Sequence, residues 1–213
     1  MISEKKPFPI SVIVLAGGKS SRIGLDKDKG YLPFRGSSLI GQVILNILSL
    51  KTITEHDIII VGPKDRFVQY KNIVEDYFPQ KGPLGGIYSG LQYSKTFYNL
   101  IIGYDMPFVE VNLIEYMTGL MEGYDIVIPT HGQGLLEPLC AIYSKNCLSI
   151  IEQNLKKNVL AVRSTFPFLN IRKITEKEIR KFDPELCSFF NINFRNDFKE
   201  AERLALIRRK KKC

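Results

Sequence analysis

The residues best suited to chemistry lie between Leu15 and Gly36, which read LAGGKSSRIGLDKDKGYLPFRG. Paired glycines, Gly17-Gly18, are followed by Lys19, two serines, Arg22, Gly24 and two Asp-Lys pairs, Asp26-Lys27 and Asp28-Lys29. Glycines let backbone N–H groups approach an anion closely, and the cations neutralise its charge, so the stretch reads as a phosphate-binding loop. It is not a P-loop, because the glycine needed five residues before Gly18 is Ile13; the G-x-G-x-x-G dinucleotide pattern is also absent. A second candidate is Asp105, which closes an apolar run and is followed by Met106-Pro107. A carboxylate on such a fixed backbone suits a divalent cation, with a plain helix cap as the alternative. A third is Gly82-Pro83-Leu84-Gly85-Gly86, a tight turn into a helix, preceded by Asp76.

These residues need a frame. Nearly continuous apolar runs at 10–15, 57–62, 98–104, 125–129 and 138–143 predict strands covered on both faces. Helical patterns are predicted between them at 38–50, 84–94, 111–123 and 144–156. Further on, 168–174 reads as a strand, Thr175-Glu176-Lys177-Glu178 has capping-box spacing, and 194–211 reads as a helix. The alternation predicts βαβ units and a mostly parallel sheet, whose ligands bind at the carboxyl ends of the strands. The glycine-rich loop leaves the first strand at that edge.

Taken in order, these motifs resemble the nucleotidyltransferase superfamily and, within it, the molybdenum cofactor guanylyltransferases. The resemblance rests on Leu15-Ala16-Gly17-Gly18 with Ser20, Arg22 and Gly24, on Gly82-Pro83-Leu84-Gly85-Gly86-Ile87, on Tyr104-Asp105-Met106-Pro107-Phe108, on Glu137-Pro138-Leu139 and on Asn191-Ile192-Asn193. It implies a three-layer, Rossmann-like α/β nucleotidyltransferase fold, with a mostly parallel central sheet flanked by helices, formed as one domain over residues 1–213. It also implies transfer of GMP from GTP to the terminal phosphate of molybdopterin with release of pyrophosphate. Under it, Leu15, Ala16, Gly17 and Gly18 line the nucleotide, Arg22 and a lysine clamp its phosphates, Asp76 and Gly82-Pro83-Leu84 contact the nucleotide, with an ordinary exposed acid and a plain helix-starting turn as the alternatives there, and Asp105 holds Mg2+. Counting back from Leu32-Pro33-Phe34 selects Lys29 as the phosphate lysine; counting forward from Gly24 selects Lys27. Asp28-Lys29-Gly30 matches over more positions, so Lys29 is preferred and Lys27 kept. Arg22, Lys29 and Asp105 are then the catalytic set. Asn191 and Asn193 either bind the pterin or cap the last helix, and strand alternation would put both amides on one face.

The chain departs from the pattern in three places. The phosphate loop is one or two residues longer than the family's; the family's Thr-Pro-Glu-Asp after the asparagines is Phe194-Arg195-Asn196-Asp197; and Val61-Gly62-Pro63 stands where some members carry an asparagine. Cytidylyl relatives tend to read Ala-Ala-Gly where this chain has Ala16-Gly17-Gly18, which favours GTP over CTP. A different nucleotidyltransferase of the same fold, or a non-catalytic carrier of nucleotide or pterin, are the rival readings. Transient contacts with proteins that supply the pterin or receive the product follow from the resemblance.

Composition bounds the rest. The chain has 213 residues, 45% of them hydrophobic, enough for a substantial core. No apolar segment is long enough to span a bilayer and Met1 to Pro9 lacks a signal-peptide core, so a cytoplasmic location with no membrane partner is expected. Five of the eight net positive charges sit in Arg208-Arg209-Lys210-Lys211-Lys212, leaving +3 for the remainder. With no interleaved aromatics, this basic tail, 208–213, reads as a solvated helix end rather than a nucleic-acid arm. Cys140, Cys147, Cys187 and Cys213 match no zinc spacing and read as buried or incidental thiols. Of the two histidines, His56 reads as exposed in a turn and His131 as a solvent-loop residue at the substrate end, with contact to the pterin as the alternative.

Overall fold

The computed structural model describes residues 9–17 and 29–211, apart from the side chains of residues 29 and 208–211. The chain opens with β1 (Ile10–Leu15), every residue of which is buried. After the turn Lys29–Tyr31 come a small hairpin, β2 (Pro33–Phe34) and β3 (Ser37–Ser38), and helix α1 (Leu39–Leu48). The Ser38 hydroxyl accepts the Gly41 amide at 3.1 Å and caps α1. Then follow β4 (Ile58–Val61), β5 (Ile73–Val74), α2 (Gly82–Tyr93), β6 (Tyr98–Gly103), α3 (Val111–Thr118) and β7 (Ile126–His131). The chain continues through β8 (Leu135–Leu136), β9 (Cys140–Ser144), α4 (Cys147–Lys156), β10 (Ile171–Ile174), α5 (Glu176–Ile179) and α6 (Arg195–Lys211).

The main sheet has the order β10-β7-β9-β6-β1-β4-β5, with β8 paired to β7. β1 pairs in parallel with both β4 and β6, and β10 pairs in parallel with β7. β9 runs antiparallel to both β6 and β7, so the sheet is mostly parallel but mixed. Side chains alternate across it. Val12 and Val14 join one core with α1 and α3, through Ile40, Val43, Ile47, Leu113 and Met117. Ile13 and Leu15 join the other with α2 and α4, through Leu84, Ile87, Leu91, Ile151 and Leu155. This is the three-layer α/β fold expected. A third, smaller cluster packs Phe34, Phe108, Ile192 and Ala201 together, drawing the hairpin, the turn after β6 and α6 into one group.

Helix α2 lies unusually close to β1. A Cβ at Gly90 would come 2.4 Å from Ile13 Cγ2, and one at Gly86 would come 3.1 Å from Leu15 Cδ2. Gly86 therefore brings the first half of the helix against the end of β1, and Gly90 brings its second half against the middle of that strand.

Several predicted boundaries move. Helix 111–123 stops at Thr118, where Gly119 caps it, and helix 144–156 starts at Cys147 because β9 runs on to Ser144. The strand expected over 168–174 is shorter, because a 3-10 segment (Val162–Phe168) occupies its start. Residues 190–193 form no strand, which corrects the alternation argument for the asparagines. The capping box at Thr175 forms: its side chain accepts from the Glu178 amide, and the Glu178 carboxylate accepts from the Thr175 amide. Cys140, Cys147 and Cys187 are buried free thiols, and burial pushes the Cys147 thiol up to about 12. Among the described residues no helix is long and apolar enough to cross a membrane.

Candidate active site

The carboxyl ends of β1, β4 and β6 share one edge of the sheet. Leu15 is in register with Val61 on one side and Gly103 on the other. Beyond the ladder, the Ala16 amide donates to the Val61 carbonyl at 2.8 Å and the Tyr104 amide donates to the Leu15 carbonyl at 3.2 Å. The strand that leads into the glycine loop and the strand that leads into Asp105 are thus bonded to each other at the point where both end. Gly17 is exposed, and among the described residues no atom lies within 4 Å of the place a Cβ would occupy.

Asp105 follows two residues after Gly103 and is half-buried. A Cβ on Gly103 would sit 2.7 Å from Asp105 Oδ1, so the carboxylate folds back over Gly103 and a larger residue there would push it aside. The following turn is held from the other side: Asn46 on α1 donates from Nδ2 to the Pro107 carbonyl at 2.9 Å, and Gln42 donates to Asn46 at 2.9 Å. Among the described residues no three His, Cys, Asp or Glu side chains gather as a metal cage. A single hard carboxylate at a strand end suits an ion such as Mg2+, which takes one or two carboxylates and fills its shell with water and phosphate oxygens.

Gly82 has φ +64°, a conformation glycine adopts without strain, and Pro83 follows in the first turn of α2. Gly82 and Pro83 are exposed, whereas the Leu84 side chain is fully buried in the core, so only its backbone faces the edge. Because Gly86 packs on Leu15, this turn stands beside the end of β1. Asp76 braces it. Its Oδ1 accepts the Phe78 amide at 3.0 Å and the Ser89 hydroxyl at 2.9 Å, and its Oδ2 lies 3.0 Å from where a Gly85 Cβ would be. Burial raises the Asp76 pKa above the ordinary carboxylate value, against those two hydrogen bonds.

Asn191 is half-buried and donates from Nδ2 to the Phe189 carbonyl at 3.2 Å; Asn193 is exposed. Ile192 between them is fully buried, and its amide donates to the Asp105 carbonyl at 3.0 Å. The approach to α6 is held by Asp197, whose Oδ2 accepts the amides of Asn193 and Phe194 at 2.8 and 2.7 Å. Lys29 begins the turn Lys29–Tyr31, and its side chain lies outside the described residues, as do Gly18, Arg22 and Lys27.

The structure brings together Leu15–Gly17, Gly82–Leu84, Asp105 and the 189–192 segment at one sheet edge. It also fixes the place of His131, for which the sequence favours a solvent loop. His131 is not in a free loop: it ends β7, pairs with Leu135 and places Nε2 2.8 Å from Glu137 Oε1. Its ring stacks on Phe189 with centroids 4.8 Å apart and 5° between the planes. The signal available was Glu137 itself, the first residue of the Glu-Pro-Leu motif. His56 is exposed in the turn Glu55–Asp57, as expected.

This fold, with glycines and a carboxylate at adjacent strand ends, is the arrangement expected of a nucleotidyltransferase. The comparisons narrow it. The family model for the MobA-like NTP transferase domain matches residues 12–166, and the chain belongs to that family. It is 33% identical over 195 residues to a molybdenum cofactor guanylyltransferase of Desulfosudis oleivorans, covering 91% of this chain and 94% of the relative. It is 34% identical over 212 residues to a probable molybdenum cofactor guanylyltransferase of Clostridium perfringens, covering 94% and 97%. Among solved structures it resembles molybdopterin-guanine dinucleotide biosynthesis protein A from Archaeoglobus fulgidus, with 27% identity, TM-score 0.77, and 92% and 98% coverage.

Proposed function

We propose that this nucleotidyltransferase transfers GMP from GTP to the terminal phosphate of molybdopterin, forming the guanine dinucleotide and releasing pyrophosphate, and that residues 1–213 act as one domain. The reading draws its substrates from the relatives' names. The observation that carries it is the hydrogen bond from the Tyr104 amide to the Leu15 carbonyl, which sets the start of the glycine loop and the Asp105 turn side by side.

The acceptor phosphate is a monoester whose second pKa is about 6, so it is largely dianionic at neutral pH and needs no general base. The difficulty is repulsion between anions and charge accumulating on the leaving pyrophosphate. Positioning and electrostatics are the main tools for such a transfer. In this reading the backbone of Leu15, Ala16, Gly17 and Gly18 lies along the nucleotide, Arg22 and Lys29 clamp its phosphates with Lys27 as the alternative lysine, and the Gly82-Pro83-Leu84 turn abuts the base. Asp76 serves the nucleotide side, where it also supports α2. Asn191 and Asn193 face the pterin. Asp105 would hold Mg2+, which, when bound, neutralises phosphate charge. The enzyme works in the cytoplasm, in transient contact with proteins that supply the pterin and receive the product.

The test is incubation with GTP, Mg2+ and molybdopterin, with detection of the dinucleotide. Product with GTP and none with CTP supports the reading; product with CTP alone assigns the cytidylyl activity instead; nucleotide binding without product supports a carrier.

A further inference from the structure

His131 and Glu137 are both largely buried, with side-chain exposures of 17% and 14%. The frame around them is rigid. The Glu137 amide donates to the Pro129 carbonyl at 3.1 Å, the Glu137 carbonyl accepts the Cys140 amide at 3.1 Å, and the Gly132 amide donates to Glu176 Oε2 at 2.6 Å. The bond between His131 Nε2 and Glu137 Oε1, 2.8 Å long, fixes the plane of the ring. That plane lies flat on Phe189. Phe189 in turn gives its carbonyl to the Asn191 side chain, and Ile192 bonds Asp105. A continuous line of contacts therefore runs from Glu137 through His131 and Phe189 to the strand end that carries Asp105.

The 3-10 turn before this segment has its own anchors. Asp183 accepts the amides of Cys187 and Ser188 at 3.1 and 2.6 Å, and the Ser188 hydroxyl accepts the Glu110 amide at 3.0 Å. What the histidine adds is a stacked support for the Phe189 ring, whose residue also gives the carbonyl that accepts from Asn191. The same stack walls a cleft of about 320 Å3, bordered also by Glu185, Leu186, Phe190 and Leu204. Residues 187–192 lie beyond residues 12–166, so this side of the site is completed by the C-terminal part of the chain.

We propose that His131 and Glu137 are positioning residues for the acceptor half of the transfer: the bonded, stacked pair fixes residues 189–192 against Asp105 and thereby sets affinity for the phosphorylated acceptor, not for the nucleotide. The acceptor assignment rests on the guanylyl-transfer reading; the positioning does not.

Two measurements on the full chain separate these. Hydrogen exchange on wild type, His131→Ala and Phe189→Leu reads the Ile192 amide directly: both variants should raise its exchange about tenfold or more, while the α2 amides keep their protection. Unchanged exchange at Ile192 overturns the positioning role whatever the substrate is. Steady-state transfer should show the acceptor KM raised about tenfold in His131→Ala with the GTP KM within about twofold of wild type. Glu137→Gln, which keeps an acceptor oxygen for Nε2, should recover most of what Glu137→Ala loses. An equal rise in both KM values, or Glu137→Gln as impaired as Glu137→Ala, overturns the acceptor-specific role. If wild type makes no dinucleotide, the guanylyl reading falls, and the exchange result still decides the positioning.

Discussion

The Ile192 amide donates to the Asp105 carbonyl across 3.0 Å, and through it a C-terminal segment is bonded to the end of the strand next to β1. Three parts of the chain meet there: the start of the glycine loop at Leu15–Gly17, the Asp105 turn, and the Asn191–Asn193 segment.

Asp105→Asn should keep the fold and lose transfer, by about 3 kcal/mol, on the order of a hundredfold in kcat. Gly103→Ala should do much the same by a different route. Its Cβ would stand 2.7 Å from Asp105 Oδ1, and a carboxylate at the end of a side chain swings aside more easily than a strand moves. Steady-state kinetics with parallel thermal melts checks this; a large loss of Tm with normal kcat would contradict it.

Lys29→Ala should lose turnover by a similar factor of about a hundred with an unchanged Tm, and Lys27→Ala should lose less. The reverse order would shift the register of the loop by two positions. Normal turnover in both variants would remove the lysine clamp altogether.

Asp76→Asn separates support of α2 from contact with the nucleotide. Burial raises the Asp76 pKa, so the folded state holds the proton more tightly than the unfolded one. Its ionised form therefore costs stability, and that cost grows as pH rises through the folded pKa. Asparagine keeps an oxygen for the Phe78 amide and the Ser89 hydroxyl without the charge, so Tm at pH 7 should hold or rise. A nucleotide contact at this position predicts a raised GTP KM in the same variant; an unchanged KM leaves Asp76 as a brace alone.

Glu178 supplies a pH signature for the fold. Burial acts to raise its pKa but is outweighed by hydrogen bonds from the Thr175 hydroxyl and amide, from Tyr116 and from Arg172, which bring it down to about 2. The unfolded chain then binds the proton first as pH falls, so the contribution is fully present above the ordinary glutamate pKa and is lost from there down to about 2. Glu178→Gln should cost about 2 kcal/mol at pH 7, the worth of hydrogen bonds to a charged group, and little at the acid end of that window. Urea unfolding of both proteins across the acid range checks it; a difference independent of pH would contradict it.

Strand β1 and helix α6 were legible because each is a local pattern: an apolar run in one, a 3.6-residue periodicity in the other. The Thr175 capping box was legible because both of its partners lie within one helical turn. Three features were not. The antiparallel insertion of β9 between β6 and β7 is a pairing of distant segments that no local pattern encodes. Asn191 and Asn193 alternate about a buried Ile192 as a strand would, yet the segment bonds to the Asp105 turn instead of to a strand, because the preceding 3-10 turn at Cys187–Phe189 aims it there. His131 reads as a loop residue beside Gly132, and only the fold brings Glu137 and Phe189 to it. The motifs were thus visible as spacing, and their convergence depended on the order of strands in the sheet.

The most direct measurement is a single turnover with GTP labelled at the α-phosphate, Mg2+ and molybdopterin. The account predicts that the label passes to the pterin dinucleotide with one pyrophosphate released per transfer, and that Asp105→Asn slows this about a hundredfold while the folded state persists. Bound label that stays GTP in the presence of acceptor, or transfer at the wild-type rate by Asp105→Asn, would contradict it.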